Sequence, residues 1–212
     1  MKFIINIEVR SILIEKRVKL CIFGEPTNAF RVNEKTISQY EKAFAKCKDV
    51  FIKKTKDYGT SWRVLRARSI TDQIYIKAKR IRTIDETGEQ KIGDSIESEF
   101  IGCVNYGIIA ILQLHLEDKK EVAVELKPEE AELLFDEQYN SVKKLFLAKN
   151  HDYGEAWRDM RISSYTDLIL SKLHRIKQIE ENKGQTIVSE GIDANYMDII
   201  NYAVFAIIKL SE

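Results

Sequence analysis

Two pairs of cations are the residues in this sequence whose types and spacing best suit chemistry. Lys77 and Arg80 stand three residues apart, and so do Lys172 and Arg175. On a helix that spacing puts both charges on one face. Isoleucines flank them, Ile74 and Ile81 in one case and Ile169 and Ile176 in the other, so the charged groups leave a partly apolar surface. A merely solvated face would tolerate lysine for arginine, yet each pair keeps its own type in each place. The functional reading is a pocket for an anion such as a triphosphate, and the plain one is ordinary surface charge.

Acids follow the second pair. Glu190, Asp193 and Asp198 are succeeded by Asn201. At about 100° per residue, Asn201 lies roughly 80° from Asp193 and roughly 60° from Asp198, so these three can border one cleft. Oxygen ligands with no thiol or imidazole nearby suit magnesium or manganese rather than zinc. Glu190, Asp193 and Asp198 are then the candidate metal ligands, with Asp193 and Asp198 the candidate catalytic acids. A helix start that favours acids explains Glu190 and Asp193 without a ligand. It does not explain Asp198, which lies among Tyr196, Met197, Ile199 and Ile200.

The cations belong to a stretch that occurs twice. "DYGTSWRVLRARSITDQIYIKAKRI", from Asp57 to Ile81, returns as "DYGEAWRDMRISSYTDLILSKLHRI", from Asp152 to Ile176. With one residue inserted in the second copy, Asp94, Glu97, Gly102 and Asn105 stand opposite Glu190, Asp193, Asp198 and Asn201. Gly102 thus occupies the place of the acid Asp198, and the second copy is the better catalytic candidate. At the repeated turn, Asp57, Tyr58 and Arg63 in one copy and Asp152, Tyr153 and Arg158 in the other set polar groups beside an arginine, which can hold a base, a sugar hydroxyl or a phosphate. Gly59 and Gly154 read as helix ends in the left-handed conformation, and Trp62 and Trp157 as anchors in the core.

The elements that must position these residues are helices. Ile37, Tyr40, Phe44, Cys47, Val50 and Phe51 recur every three or four residues, predicting a helix that ends near Gly59. Ser69-Ile-Thr-Asp72 and Ser164-Tyr-Thr-Asp167 have the form of a capping box and predict a second helix in each copy. A third runs from Ser95 to about Glu117 and from Glu190 to about Leu210. Its ends, "NYGIIAILQL" and "NYAVFAIIKL", suggest the buried centre. Pro128 with Glu129 and Glu130 suits the first turn of the helix that opens the second unit. The expected fold is all-α, with two tandem three-helix units packed as a pseudo-two-fold bundle: residues 34–117 and 128–212, joined by a linker over 118–127. Residues 1–33 stand outside the repeat, either as a small hairpin or as an extension without fixed structure.

Composition bounds the function. The chain has 212 residues, 44% of them hydrophobic, enough to bury a sizeable core. Lysine and arginine total 34 against 33 acids, a net charge of +1, so no general attraction to nucleic acid or to an anionic membrane is expected. Three cysteines without CxxC spacing suit a reducing cytosol. The apolar run around Gly107 to Leu112 is short against the roughly 20 residues that span a bilayer, and the start is a poor signal peptide. The expected location is the cytoplasm.

DYGxxWR, then TDxxxxKxxRI, then an acidic helix carrying DIINY, resemble the nucleotide-modification-associated domain family across both units. More distantly the same order of motifs is similar to the MazG-like all-α nucleoside triphosphate pyrophosphohydrolases. That resemblance implies carboxylates holding magnesium over a nucleotide's phosphates, cations binding them, and release of pyrophosphate from a non-standard or modified nucleoside triphosphate. It also implies sites built between subunits, so either a homo-oligomer or a tandem copy serving as an intrachain dimer partner. Asn201 stands where that group has an acid. A non-enzymatic helical adaptor, its repeated residues serving as caps, core and protein-binding surface, is the alternative.

Overall fold

Apolar residues spaced for a helix face build six α-helices among the described residues. The computed structural model describes residues 33–116, 123–188 and 190–212. The hairpin or extension expected over 1–33 therefore lies, but for its last residue, outside the described residues, as does half of the expected linker. The chain divides after Arg31, and the helices belong to the unit Val32–Glu212.

The first repeat comprises α1 (Glu34–Tyr58), a 3-10 turn (Ser61–Val64), α2 (Ala67–Thr87) and α3 (Ile96–Leu116). The second comprises α4 (Pro128–Tyr153), a 3-10 turn (Ala156–Asp159), α5 (Ile162–Glu181) and α6 (Ile192–Leu210). Asn33 caps α1 by accepting from the Lys35 N–H at 2.9 Å, and Glu130 accepts from the Lys127 N–H at 3.1 Å to cap α4.

Gly59 and Gly154 end the first helix of each repeat with φ of +67° and +61°. Their ψ values are extended rather than left-handed helical, at −157° and −149°. Positive φ is open to glycine at little cost, and it turns the chain sharply into the tryptophan turn.

The second helices begin three residues earlier than the serine caps predict. α2 and α5 start at Ala67 and Ile162, and neither has a side-chain cap. The Ser69 and Ser164 N–H groups already bond the carbonyls of Arg66 and Arg161 at 2.9 and 3.1 Å, so both serines lie inside the first turn. Burial of Ala67 explains the early start of α2: the apolar face of the helix begins there, before any polar cap.

α3 and α6 form the centre, with Val104, Ile108, Ile111, Ile199, Ile200, Val204 and Ile207 buried. They approach so closely that a Cβ on Gly107 would lie 2.6 Å from Ile200 Cγ1. α3 is, by length and composition, apolar enough to cross a bilayer, contrary to the reading of its run as too short; 67% of its most apolar window is buried within the bundle.

Contacts between the repeats come in reciprocal pairs. Arg82 reaches Asp167 at 2.7 Å, and Lys177 reaches Asp72 at 2.7 Å. Lys143 pairs with Glu41 at 2.6 Å, and Lys48 with Asp136 at 2.7 Å. Tyr40 stacks on Phe146 at 4.1 Å, and Phe51 meets Phe135 at 4.8 Å. In each case the partners exchange places when the repeats are aligned, as in an isologous dimer interface. Phe44 and Tyr139 are equivalent positions and touch each other at 4.7 Å, which puts the pseudo-two-fold axis between them. The aromatic pairs contribute about 0.5–1.5 kcal/mol each beyond area burial. The exposed ion pairs contribute about 0–1 kcal/mol each and mainly fix the register.

Candidate functional site

In the second repeat the candidate residues gather around one buried carboxylate. Asp198, on α6, is 4% exposed. One of its oxygens accepts from Lys172 Nζ on α5 at 2.6 Å, and the other accepts from Lys149 Nζ near the end of α4. Arg175 lies one turn beyond Lys172 on the same helix and is exposed. Arg175 makes no hydrogen bond or ion pair among the described residues. Tyr202, half-buried one turn beyond Asp198, senses the whole group: burial and Asp198 raise its pKa, while Lys149 and Arg175 lower it. The Lys149 pKa is raised: burial works against its charge, but the hydrogen bond it donates to Asp198, that carboxylate's field, Tyr202 and Glu190 outweigh it. Two lysines thus hold a single deep acid, with Arg175 one turn along α5 and Glu190 acting on Lys149.

The first repeat has the same lysine and arginine but a different acid. Glu99, one turn before Gly102, is buried on α3 and accepts from Lys77 Nζ at 3.2 Å and from Arg80 Nη1 at 2.6 Å. The other terminal nitrogen of Arg80 donates to the carbonyls of Ile92 and Asp94 at 3.1 and 3.0 Å. Gly102 makes room for Lys77, since a Cβ there would lie 2.5 Å from Lys77 Cε. At the position equivalent to Glu99 the second repeat has Asn195, fully buried, whose amide donates to the Gly191 carbonyl at 2.8 Å.

The residues of the repeated turn lie elsewhere. Arg63 is buried and donates to Gln113 Oε1 at 2.6 Å. Arg158 stacks over Trp157 and bonds Glu155, Thr36, Gln39 and Glu212, joining the turn to the start of α1 and the end of the chain. Arg158 shares no partner with Asp198 or Glu99 among the described residues. Gln113 and Lys209 are equivalent and both donate to main-chain carbonyls of the turn, of Arg63 and Leu65 in one repeat and of Arg158 and Met160 in the other. Asp57, Tyr58, Asp152 and Tyr153 face solvent.

Asn201 and Asn105 are buried within the bundle. Asn201 Oδ1 accepts from the Tyr40 hydroxyl at 2.8 Å, and Asn105 Nδ2 donates to the Cys47 carbonyl at 3.0 Å. The acids proposed as metal ligands do not converge as the side chains stand. Asp193 is exposed, both Asp198 oxygens are taken by ammonium groups, and no group of three acids, histidines or cysteines placed to hold a metal occurs among the described residues. Two site residues were missed from sequence, Lys149 and Glu99. Lys149 had a signal, because Lys54 occupies the equivalent place just before the first DYG.

The arrangement defines an all-α tandem-repeat protein, an intrachain pseudo-dimer whose halves each surround one buried carboxylate with cations. It belongs to the nucleotide modification associated domain 1 family, whose model matches residues 54–114 and again 149–210, together more than half of the chain. Comparison with curated proteins and with solved structures gives no match, so the more distant resemblance to MazG-like enzymes gains no support from them.

Proposed function

We propose that this protein binds a nucleotide through its phosphates, and that the second repeat supplies the site. The observation that carries this reading is Arg175, an exposed guanidinium without a hydrogen bond or ion pair among the described residues, beside two lysines that share one acid. Asp198 holds Lys149 and Lys172 at a fixed spacing and uses one N–H of each, leaving the rest for a phosphate. Membership of a nucleotide-modification family supplies the expectation that the anion is a nucleotide.

Hydrolysis with magnesium needs carboxylates free to hold the metal and orient water. With Asp198 committed to two lysines and Asp193 exposed, the donor set does not fit magnesium as it stands, and binding is the activity the geometry favours. The test is a thermal-shift and calorimetric panel of nucleoside mono-, di- and triphosphates against bare nucleosides. Phosphorylated ligands should raise Tm by mass action, and Lys172→Ala or Arg175→Ala should weaken binding about tenfold or more, the loss of a charge-assisted contact. A panel with no binder, or binding that ignores both substitutions, sinks the reading in favour of an adaptor.

A further inference from the structure

We infer that the first repeat carries its own occupant: the Glu99 carboxylate fills, in that copy, the place a phosphate takes in the second. One chain therefore holds one phosphate ligand, although it repeats the lysine and arginine twice. This rests on the phosphate reading of the second repeat.

The two halves differ by an exchange of acids across one helical turn. The first has Glu99 and Gly102, the second Asn195 and Asp198. From its position Glu99 reaches both repeated cations, Lys77 at 3.2 Å and Arg80 at 2.6 Å. A carboxylate bound to a guanidinium makes the same kind of charge-assisted contact as a phosphate oxygen. Arg80 also donates to the carbonyls of Ile92 and Asp94, so three of its five N–H groups are engaged within the chain and its charge is paired with Glu99.

In the second half the neutral Asn195 turns its amide to the main chain, and among the described residues no carboxylate reaches Arg175. The acid there sits one turn later, where it recruits Lys149 as a third cation. In the first repeat Lys77 and Arg80 share Glu99; in the second Lys149 and Lys172 share Asp198 and Arg175 stands outside the pair. The second therefore has one more uncompensated cation than the first.

Titration calorimetry of the full chain with inorganic pyrophosphate tests this. The natural sequence should bind one pyrophosphate per chain, and Lys172→Ala should weaken that binding about tenfold. Glu99→Gln, which removes the internal anion with little change of shape, should open a second site. Glu99→Gln in the Lys172→Ala background should regain one site, a gain that an unfolded protein cannot show. Two sites in the natural sequence overturn the inference, and so does a Glu99→Gln, Lys172→Ala protein that stays without tight binding while the natural one binds. Failure of the natural sequence to bind pyrophosphate at all overturns the phosphate reading itself, and this inference with it.

Discussion

Glu99 and Asp198 stand one helical turn apart when the repeats are aligned, yet each is buried and each accepts from the equivalent lysine, Lys77 or Lys172. The lysine stays and the acid moves. That shift decides which arginine is consumed within the chain and which is left exposed.

Arg175→Ala should weaken nucleotide binding about tenfold, while Arg80→Ala should leave it unchanged, because Arg80 is spent on Glu99 and two carbonyls. Calorimetry at two salt concentrations checks this. The salt dependence should flatten for the Arg175 variant alone.

Acid should loosen the junction between the second tryptophan turn and the start of α1. Glu155 has its pKa lowered: burial opposes ionisation, but the hydrogen bonds from Thr36 and Arg158 outweigh it. A lowered carboxyl contributes stability fully present above its ordinary value of 4.5 and lost as pH falls through the folded value. Glu155→Gln should therefore lower Tm at neutral pH and flatten the acid limb of a Tm-against-pH curve. Glu180 has the opposite sign, because burial raises its pKa. Its ionisation opposes folding above the raised value, so Glu180→Gln should not lower Tm at pH 7.

The two tryptophans are satisfied unequally. Trp157 Nε1 donates to Asn150 at 3.0 Å, whereas Trp62 Nε1 is buried without a hydrogen-bond partner, since Thr55 replaces the asparagine. Thr55→Asn should stabilise the protein by about 1 kcal/mol, and Asn150→Thr should cost about 1–2 kcal/mol. Chemical denaturation of both variants measures the pair.

Two glycines of one helix should respond differently to alanine. At Gly107 the new methyl meets the buried Ile200 side chain at the crossing of the central helices, and about 1–3 kcal/mol should be lost to overpacking. At Gly102 it meets only the flexible end of Lys77. The helix propensity gained there, about 1 kcal/mol, should offset the displaced ion pair. Equal losses at the two positions would show that the close crossing is not what requires glycine at 107.

The helical class, the duplication and the buried third helices were legible because each is written in local periodicity or in direct self-similarity. Positive φ at Gly59 and Gly154 was legible for the same reason. The capping pattern at Ser69 misled because an S-x-x-D string says nothing of where burial begins, and Ala67 starts the apolar face of α2 earlier. The site was harder. Lys149 joins Asp198 from a helix two elements away, and Arg158 is drawn to Thr36 and Glu212 at opposite ends of the fold. Such partners are chosen by packing that no short window contains.

Phe44 and Tyr139 are one position written twice, and they meet across the axis. In a dimer of identical chains such a residue faces itself, so a single change in the gene alters both sides at once. Here each side has its own codon. A phenylalanine can face a tyrosine, and farther from the axis one half can hold Glu99 with Gly102 while the other holds Asn195 with Asp198. Two identical subunits have no means of encoding that division of labour.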